Sequence, residues 1–153
     1  MDRGVPGTTH FLNVDLDIYS KSNLQPLVTA LGKNVIVLHA GLDRRTFCAH
    51  LELARVTRSA DSTIRGFCSL IQALPGTERD LWNSARVRDF NIGVQAATQP
   101  FSHEIALAAE TVKAASEVSA RIVFTVYAPE GLRQRVLDVS AGSKKATRPA
   151  RLG

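Results

Sequence analysis

The chain has 153 residues, of which 44% are hydrophobic and 22% are charged, an ordinary composition for one globular domain. No apolar run approaches the roughly 18 residues of a membrane-spanning helix, and the first residues lack the apolar stretch of a signal peptide. Two cysteines without metal-ligand spacing argue against a zinc site and a secreted disulfide scaffold, so we expect a reducing, cytoplasmic setting.

The net charge of +5 is concentrated at the C-terminal end of the sequence. Residues 129–153 carry six basic and two acidic side chains, which accounts for +4 and leaves the rest of the chain almost neutral. We therefore predict a flexible leader at residues 1–9, a single domain at 10–130 and a basic, disordered tail at 131–153. The basic residues of the tail are Arg133, Arg135, Lys144, Lys145, Arg148 and Arg151.

The first half of the domain shows a strand, a helix and two further strands. Residues 10–20 alternate between apolar and polar side chains, which predicts a half-buried strand. A helical stripe of leucine and valine follows over residues 24–31, and Gly32 ends it. Residues 35–40 are apolar on both faces, while residues 46–54 alternate again, so we predict a hairpin.

The second half continues with helices and strands in alternation. A helical stripe covers residues 59–74 and a short second helix follows at 77–82. Residues 86–96 alternate like a strand. An alanine-rich helix at 107–119 and a strand at 121–128 complete the predicted domain.

The two halves resemble each other, and together they predict an α+β fold. The paired segments are residues 11–18 with 90–96, 24–31 with 105–118, and 34–40 with 121–128. Through residue 96 the order is the βαββαβ connectivity of a ferredoxin-like unit. We predict that a further helix and strand extend it, giving two pseudo-repeated βαβ units with helices mainly on one face of a mostly antiparallel sheet. A right-handed crossover between strands one and two then makes strands one and three neighbours.

Four titratable side chains are predicted to share the sheet face opposite the helices. Asp15 and Asp17 lie on the first strand, and His50 and Glu52 lie on the third. Carboxylates and an imidazole within one or two strand spacings can hold a divalent cation or act as acid and base. The alternative is a solvated outer face, which is the commoner setting for alternating charges on an antiparallel sheet.

The histidines and cysteines form no known ligand or nucleophile motif. With the hairpin turn centred between Leu42 and Asp43, we predict that His39 and His50 do not face each other. Cys48 is too far from His50 along the strand for direct activation. No HExxH, no paired CxxC and no phosphate-binding glycine loop occurs, so we predict neither a metal site nor a cofactor.

Two strands that are apolar on both faces suggest a contact surface. If helices cover one face of the sheet, Val35, Val37, Val123 and Tyr127 need another partner, such as a second subunit or a bound protein. The alternative is that long neighbouring side chains shade these residues within the sheet.

These patterns favour a small non-catalytic module that binds a protein partner or a second copy through its sheet face or edge. A metal-assisted hydrolase or lyase using the carboxylate and histidine cluster is the first alternative. Nucleic-acid binding through Lys144, Lys145, Arg148 and Arg151 is the second alternative, because basic tails bind phosphates without regard to sequence. Acidic residues on the first strand count against RNA binding by the sheet itself.

Overall fold

The computed structural model describes residues 7–129. The predicted tail at 131–153, with Lys144, Lys145, Arg148 and Arg151, lies outside the described residues, as does most of the leader. The described part is an α+β domain. Its elements are β1 (His10–Ser20), α1 (Gln25–Leu31), a 3-10 turn (Gly32–Asn34), β2 (Val35–Asp43), β3 (Thr46–Leu53), α2 (Ala60–Gln72), α3 (Gly76–Ser84), β4 (Val87–Gln95), α4 (Ala109–Glu117) and β5 (Arg121–Tyr127).

The five strands form one sheet in the order β2-β3-β1-β4-β5. The pairs β2–β3, β3–β1 and β1–β4 are antiparallel, whereas β4 and β5 are parallel. The sheet is therefore mixed, and the prediction of a mostly antiparallel sheet is wrong in this respect. A helical crossover returns the chain to the same end of the sheet, so β5 runs parallel to β4. The predicted adjacency of strands one and three is confirmed.

The helices pack against one face of the sheet and form a single core with it. Val14, Leu16 and Ile18 of β1 are fully buried on this face, next to apolar residues of all four helices. Alternation in β1 thus separates a helix-covered face from the opposite face, because successive side chains of a strand point to opposite sides. Residues Phe67 and Phe90 stack in this core with ring centroids 5.9 Å apart.

Trp82 joins the short helix α3 to the end of α4. Its side chain is fully buried, and its indole Nε1 donates a 2.8 Å hydrogen bond to the carbonyl oxygen of Val118. Because a buried tryptophan N–H needs an acceptor, this contact satisfies both polar groups inside the core.

The β2–β3 hairpin differs from its prediction in one respect that changes the site. Asp43 pairs with Thr46, so the turn is made by Arg44 and Arg45, and Arg44 adopts a positive φ of 51°. The register shift in β2 lies beyond His39 and changes only the pairing of Val35, Ile36 and Val37, so the turn alone sets the partner of His39. His39 therefore lies directly opposite His50, and the prediction that the two imidazoles are apart is wrong.

Candidate functional site: a polar network on the open face

The sheet face that points away from the helices is called here the open face. On β1 it carries Asn13, Asp15, Asp17 and Tyr19, which alternate with the buried core residues. The register places Asp15 opposite Glu52 and Asp17 opposite His50 of β3. All four predicted titratable residues thus lie on one face of two central strands.

Asp17 and His50 form the shortest contact of the site. Nδ1 of His50 lies 2.6 Å from Oδ1 of Asp17, so the imidazole N–H donates to the carboxylate. The two side chains are 29% and 18% exposed, respectively. A short bond between half-buried groups fixes the ring orientation and leaves Nε2 on the opposite side of the imidazole.

The second oxygen of Asp17 extends this contact across the sheet. Asn91 of β4 donates from Nδ2 to Oδ2 of Asp17 over 3.2 Å. Thr125 of β5 in turn donates from its hydroxyl to Oδ1 of Asn91 over 2.7 Å. The chain of hydrogen bonds from His50 through Asp17 and Asn91 to Thr125 crosses four neighbouring strands, which holds each side chain in one orientation.

Two rings flank the imidazole of His50. Tyr19 packs edge-on with ring centroids 5.5 Å apart, and its hydroxyl lies 3.5 Å from Nε2 of His50. His39 lies on the other side, with ring centroids 6.0 Å apart. Burial raises the pKa of the Tyr19 phenol, with Asp17 as the next cause, so this hydroxyl stays protonated at neutral pH.

Asp15 and Glu52 are carboxyl groups without a neutralising partner among residues 7–129. Nδ2 of Asn13 lies 3.5 Å from Oδ1 of Asp15. No lysine or arginine of the described part forms an ion pair with either acid. The pKa of Asp15 is raised to about 6, first by burial and then by repulsion from Glu52 and Asp17. Asp15 is thus a carboxyl group that would gain from a nearby cation.

A separate ion pair neutralises the carboxylate opposite Asp17. Asp89 of β4 is the cross-strand partner of Asp17, and like charges in that position repel. Arg121 of β5 donates to both oxygens of Asp89, from Nε at 2.8 Å and from Nη2 at 2.7 Å. The histidine and this bidentate pair neutralise Asp17 and Asp89, whereas Asp15 and Glu52 in the middle of the face, and Asp43 at the hairpin end, have no ion pair among residues 7–129.

The structure gives the metal-assisted alternative no ligand set. Within residues 7–129, no three His, Cys, Asp or Glu side chains are grouped so that they could hold a metal ion. Both oxygens of Asp17 already accept hydrogen bonds, Oδ1 from His50 and Oδ2 from Asn91.

The two thiols offer no activated nucleophile. Cys48 lies opposite Tyr19 on the open face, but it is buried, and burial raises its pKa. Burial also raises the pKa of Cys68 to about 11. Both thiols therefore remain protonated at neutral pH, and a thiol acts as a nucleophile in its ionised form.

The four residues predicted as a contact surface do not lie together. Val35 and Val37 pair with Leu53 and Leu51 and point to the helix side at one edge of the sheet, where Val35 is buried and Val37 is 46% exposed. Val123 and Tyr127 lie on the open face of β5, at the other edge. Because β2 is apolar on both faces, its sequence pattern does not show which side faces the helices.

Sequence reasoning missed Tyr19, Asn91, Thr125, Asp89 and Arg121. The sequence pattern could have identified Asn91 as a candidate, because it occupies a polar position between the apolar residues of the predicted fourth strand. Its role depends on β4 lying beside β1, and that of Thr125 depends on the parallel register with β5. These neighbour relations connect residues 74 and 34 positions apart in the chain.

Comparisons with known proteins do not assign this site to a family. The chain matches no protein-family model, no curated protein and no solved structure. Among the described residues, no helix is both long enough and apolar enough to cross a membrane.

Proposed function

We propose that this protein is a binding module that takes a positively charged segment of a protein partner on its open face. The observation that carries the proposal is the pair of unneutralised carboxyl groups, Asp15 and Glu52, which lie opposite each other on two central strands. Central strands are rigid, so the pair offers a fixed anionic position rather than a mobile surface charge.

The residues on either side of Asp15 and Glu52 indicate which side chains the bound segment carries next to its cationic group. Cross-strand partners form one row over the sheet, here called the acidic row: Ile36, Glu52, Asp15, Asn91 and Val123. Ile36 at one end is 49% exposed, and Val123 at the other end is partly exposed. A row with acids in the middle and apolar ends fits an extended basic segment with apolar neighbours, since side chains alternate along such a segment.

The charge state of Asp15 favours a cationic ligand. Ionising this carboxyl costs more free energy than ionising a fully solvated aspartate, because burial, Glu52 and Asp17 all raise its pKa. A guanidinium group placed between Asp15 and Glu52 would offset that repulsion and donate to both acids in a planar fork. We therefore expect arginine to bind more tightly than lysine.

Calorimetry with a blocked peptide of alternating arginine and valine tests this proposal. Binding at pH 7.5 should weaken by about tenfold in Asp15→Asn, because a charge-assisted contact is lost. The matched control is Asp80→Asn, an exposed acid on α3, which changes the net charge equally and should leave the affinity unaltered. A second peptide with glutamate in place of arginine should not bind.

Equal losses in the two variants would overturn the proposal, because the attraction would then depend on net charge alone. Sedimentation of the full chain is a further test of the partner. Residues 129–153 carry a net charge of +4, so a second copy of the chain is one source of a basic segment. Self-association that Asp15→Asn abolishes would identify a second copy as the partner.

A second candidate function is acid–base catalysis by His50. The observation that favours it is the 2.6 Å bond from Nδ1 to Asp17, which would hold Nε2 ready to take or give a proton. Hydrolysis of nitrophenyl esters and phosphates, with and without Mg²⁺ or Mn²⁺, would test it. Turnover that is equal in His50→Gln and in the unaltered protein would exclude this candidate.

We also propose that β1, β2, β3 and β4 with their helices form a ferredoxin-like unit to which β5 is an addition. The order β2-β3-β1-β4 and its three antiparallel pairings support this assignment. An experimental structure with a different neighbour on either side of β1 would contradict it.

The proposed compartment is the cytoplasm, and the two thiols support it. Cys48 and Cys68 are both free and buried, as expected for a protein kept in a reducing environment. Alkylation of the unfolded, freshly isolated protein should modify both thiols, and fewer than two modified thiols would count against this location.

A further inference from the structure

A second surface lies on the helix side of the sheet, at the free end of β5. A cavity of about 400 Å³ opens there between β5 and the chain segment 97–105. Its walls include Val94, Phe101, Ile105, Phe124 and Val126, and this cavity is called here the β5 groove. It is distinct from the open face, because Phe124 and Val126 pair with the core residues Ile92 and Val94.

The β5 groove is an uncovered part of the core face. Ile122, at the start of β5, packs against the core, but Phe124 is 53% exposed and Val126 is 63% exposed further along the strand. Phe101 on the opposite wall is also exposed. Adjacent apolar side chains left open to water on a core face mark a surface that another segment covers.

The chain leaves β5 beside this groove. Val126 pairs with Val94, and both line the cavity. One residue later, the carbonyl oxygen of Tyr127 accepts a 2.9 Å hydrogen bond from the backbone N–H of Ala96, which anchors the strand end to β4. The described part of the chain therefore ends three residues after exposed Val126.

The sequence that follows has the composition to fill an apolar groove. Residues 132–139 contain Leu132, Val136, Leu137 and Val139, whereas the basic residues 144–151 contain no large apolar side chain. The positions 132, 136 and 139 have the spacing of one apolar helix face. A span of ten residues reaches at most about 35 Å, so the chain from residue 129 is long enough for residues 132–139 to reach the groove.

We propose that residues 132–139 of the same chain occupy the β5 groove and cover Phe124 and Val126. This would separate the C-terminal region into a docked part and a basic part. The prediction of a disordered tail would then apply to residues 140–153. The inference does not depend on the open face or on its ligand.

Cysteine cross-linking in the full chain tests the proposed contact. In Val126→Cys/Val136→Cys, mild oxidation with diamide should form a disulfide within one chain, detected by mass and by the loss of two free thiols. The control pair Val126→Cys/Lys145→Cys should cross-link at least about tenfold more slowly, because residue 145 lies outside the docked segment. The native thiols are buried and do not compete.

Each other outcome overturns the proposal. A covalent dimer as the main product of Val126→Cys/Val136→Cys would assign the groove to a second copy. Equal cross-linking in both pairs would mean that the whole tail samples the groove without docking.

A second measurement does not rely on cysteine. In the full chain, Val136→Ser/Val139→Ser should lower Tm by about 4 °C or more and increase the binding of an apolar fluorescent dye. Lys144→Ser/Lys145→Ser should change neither property. Identical melting curves for both double variants would contradict the docking of residues 132–139.

Discussion

At the scale of single residues, Asp15 carries the electrostatic character of the open face. Its pKa of about 6 has three causes that raise it, with burial first and the carboxylates of Glu52 and Asp17 after it. His50 acts in the opposite direction. The environment of one carboxyl is therefore set by residues of two strands, β1 and β3.

Removing one neighbouring charge should lower the pKa of Asp15. We predict that Glu52→Gln shifts this pKa part of the way from about 6 towards its ordinary value of 3.8, because burial remains. Carbon-detected NMR titration of the Asp15 carboxyl measures the shift directly. Asp89→Asn is the matched control, since Asp89 is not among the causes of the shift. An unchanged midpoint in Glu52→Gln would refute the proposed repulsion.

The raised pKa also predicts how stability depends on pH. The folded protein keeps the Asp15 proton more tightly than the unfolded chain does, so this group stabilises the fold below pH 3.8 and the contribution is lost as pH rises through about 6. After allowance for the partial exposure of Asp15, the loss is about 1–2 kcal/mol.

Urea unfolding at pH 4, 5, 6 and 7 measures this contribution. The free energy of unfolding of the unaltered protein should fall relative to that of Asp15→Asn as pH rises over this interval. Parallel curves for the two proteins would show that Asp15 titrates normally.

At the scale of elements, the hydrogen bonds between side chains tie β5 to the antiparallel part of the sheet. Thr125 is the last member of this chain, and its hydroxyl satisfies Asn91. Thr125→Val keeps the shape of the side chain but leaves Oδ1 of Asn91 without this donor. The free energy of unfolding should therefore fall by about 1 kcal/mol. Amide hydrogen exchange should accelerate in β5, while Thr125→Ser retains the slow rates. Equal exchange in both variants would mean that the backbone alone holds β5.

The contact between α3 and α4 is a second test at this scale. In Trp82→Phe the buried carbonyl of Val118 loses its indole donor, so we expect a loss of about 1–3 kcal/mol in unfolding free energy. Circular dichroism during urea unfolding measures it. Trp82 is fully buried, so a loss near zero would require a water molecule to take the place of the indole N–H.

The strands also show which structural features sequence patterns can predict. Clean alternation in residues 10–20 and 46–54 was enough to bring Asp15, Asp17, His50 and Glu52 to one face. Alternation fails for β2, which is apolar on both faces, because neither orientation is favoured by burial. The two-residue turn of Arg44 and Arg45 is a local backbone event, and it places His39 beside His50.

At the scale of the whole molecule, the two faces of the sheet differ in composition. One face joins all four helices in the core, and the other holds a polar network beside the acids Asp15 and Glu52, which have no ion pair among the described residues. The network could not be read from the sequence, because it combines β1 with β4 and β5 across long separations. The basic C-terminal residues account for +4 of the net charge of +5, so the overall charge does not reveal the acidic groups on the open face.

Chemical-shift mapping of the full-length, isotope-labelled protein with the arginine–valine peptide tests the proposed function most directly. We predict that the largest amide shifts fall on β1 and β3 around Asp15 and Glu52, with small shifts on α2 and α3. The shifts should shrink below pH 5, where Asp15 is protonated. Shifts centred on the helices, or shifts of equal size at pH 5 and pH 7.5, would contradict a cation site on the open face.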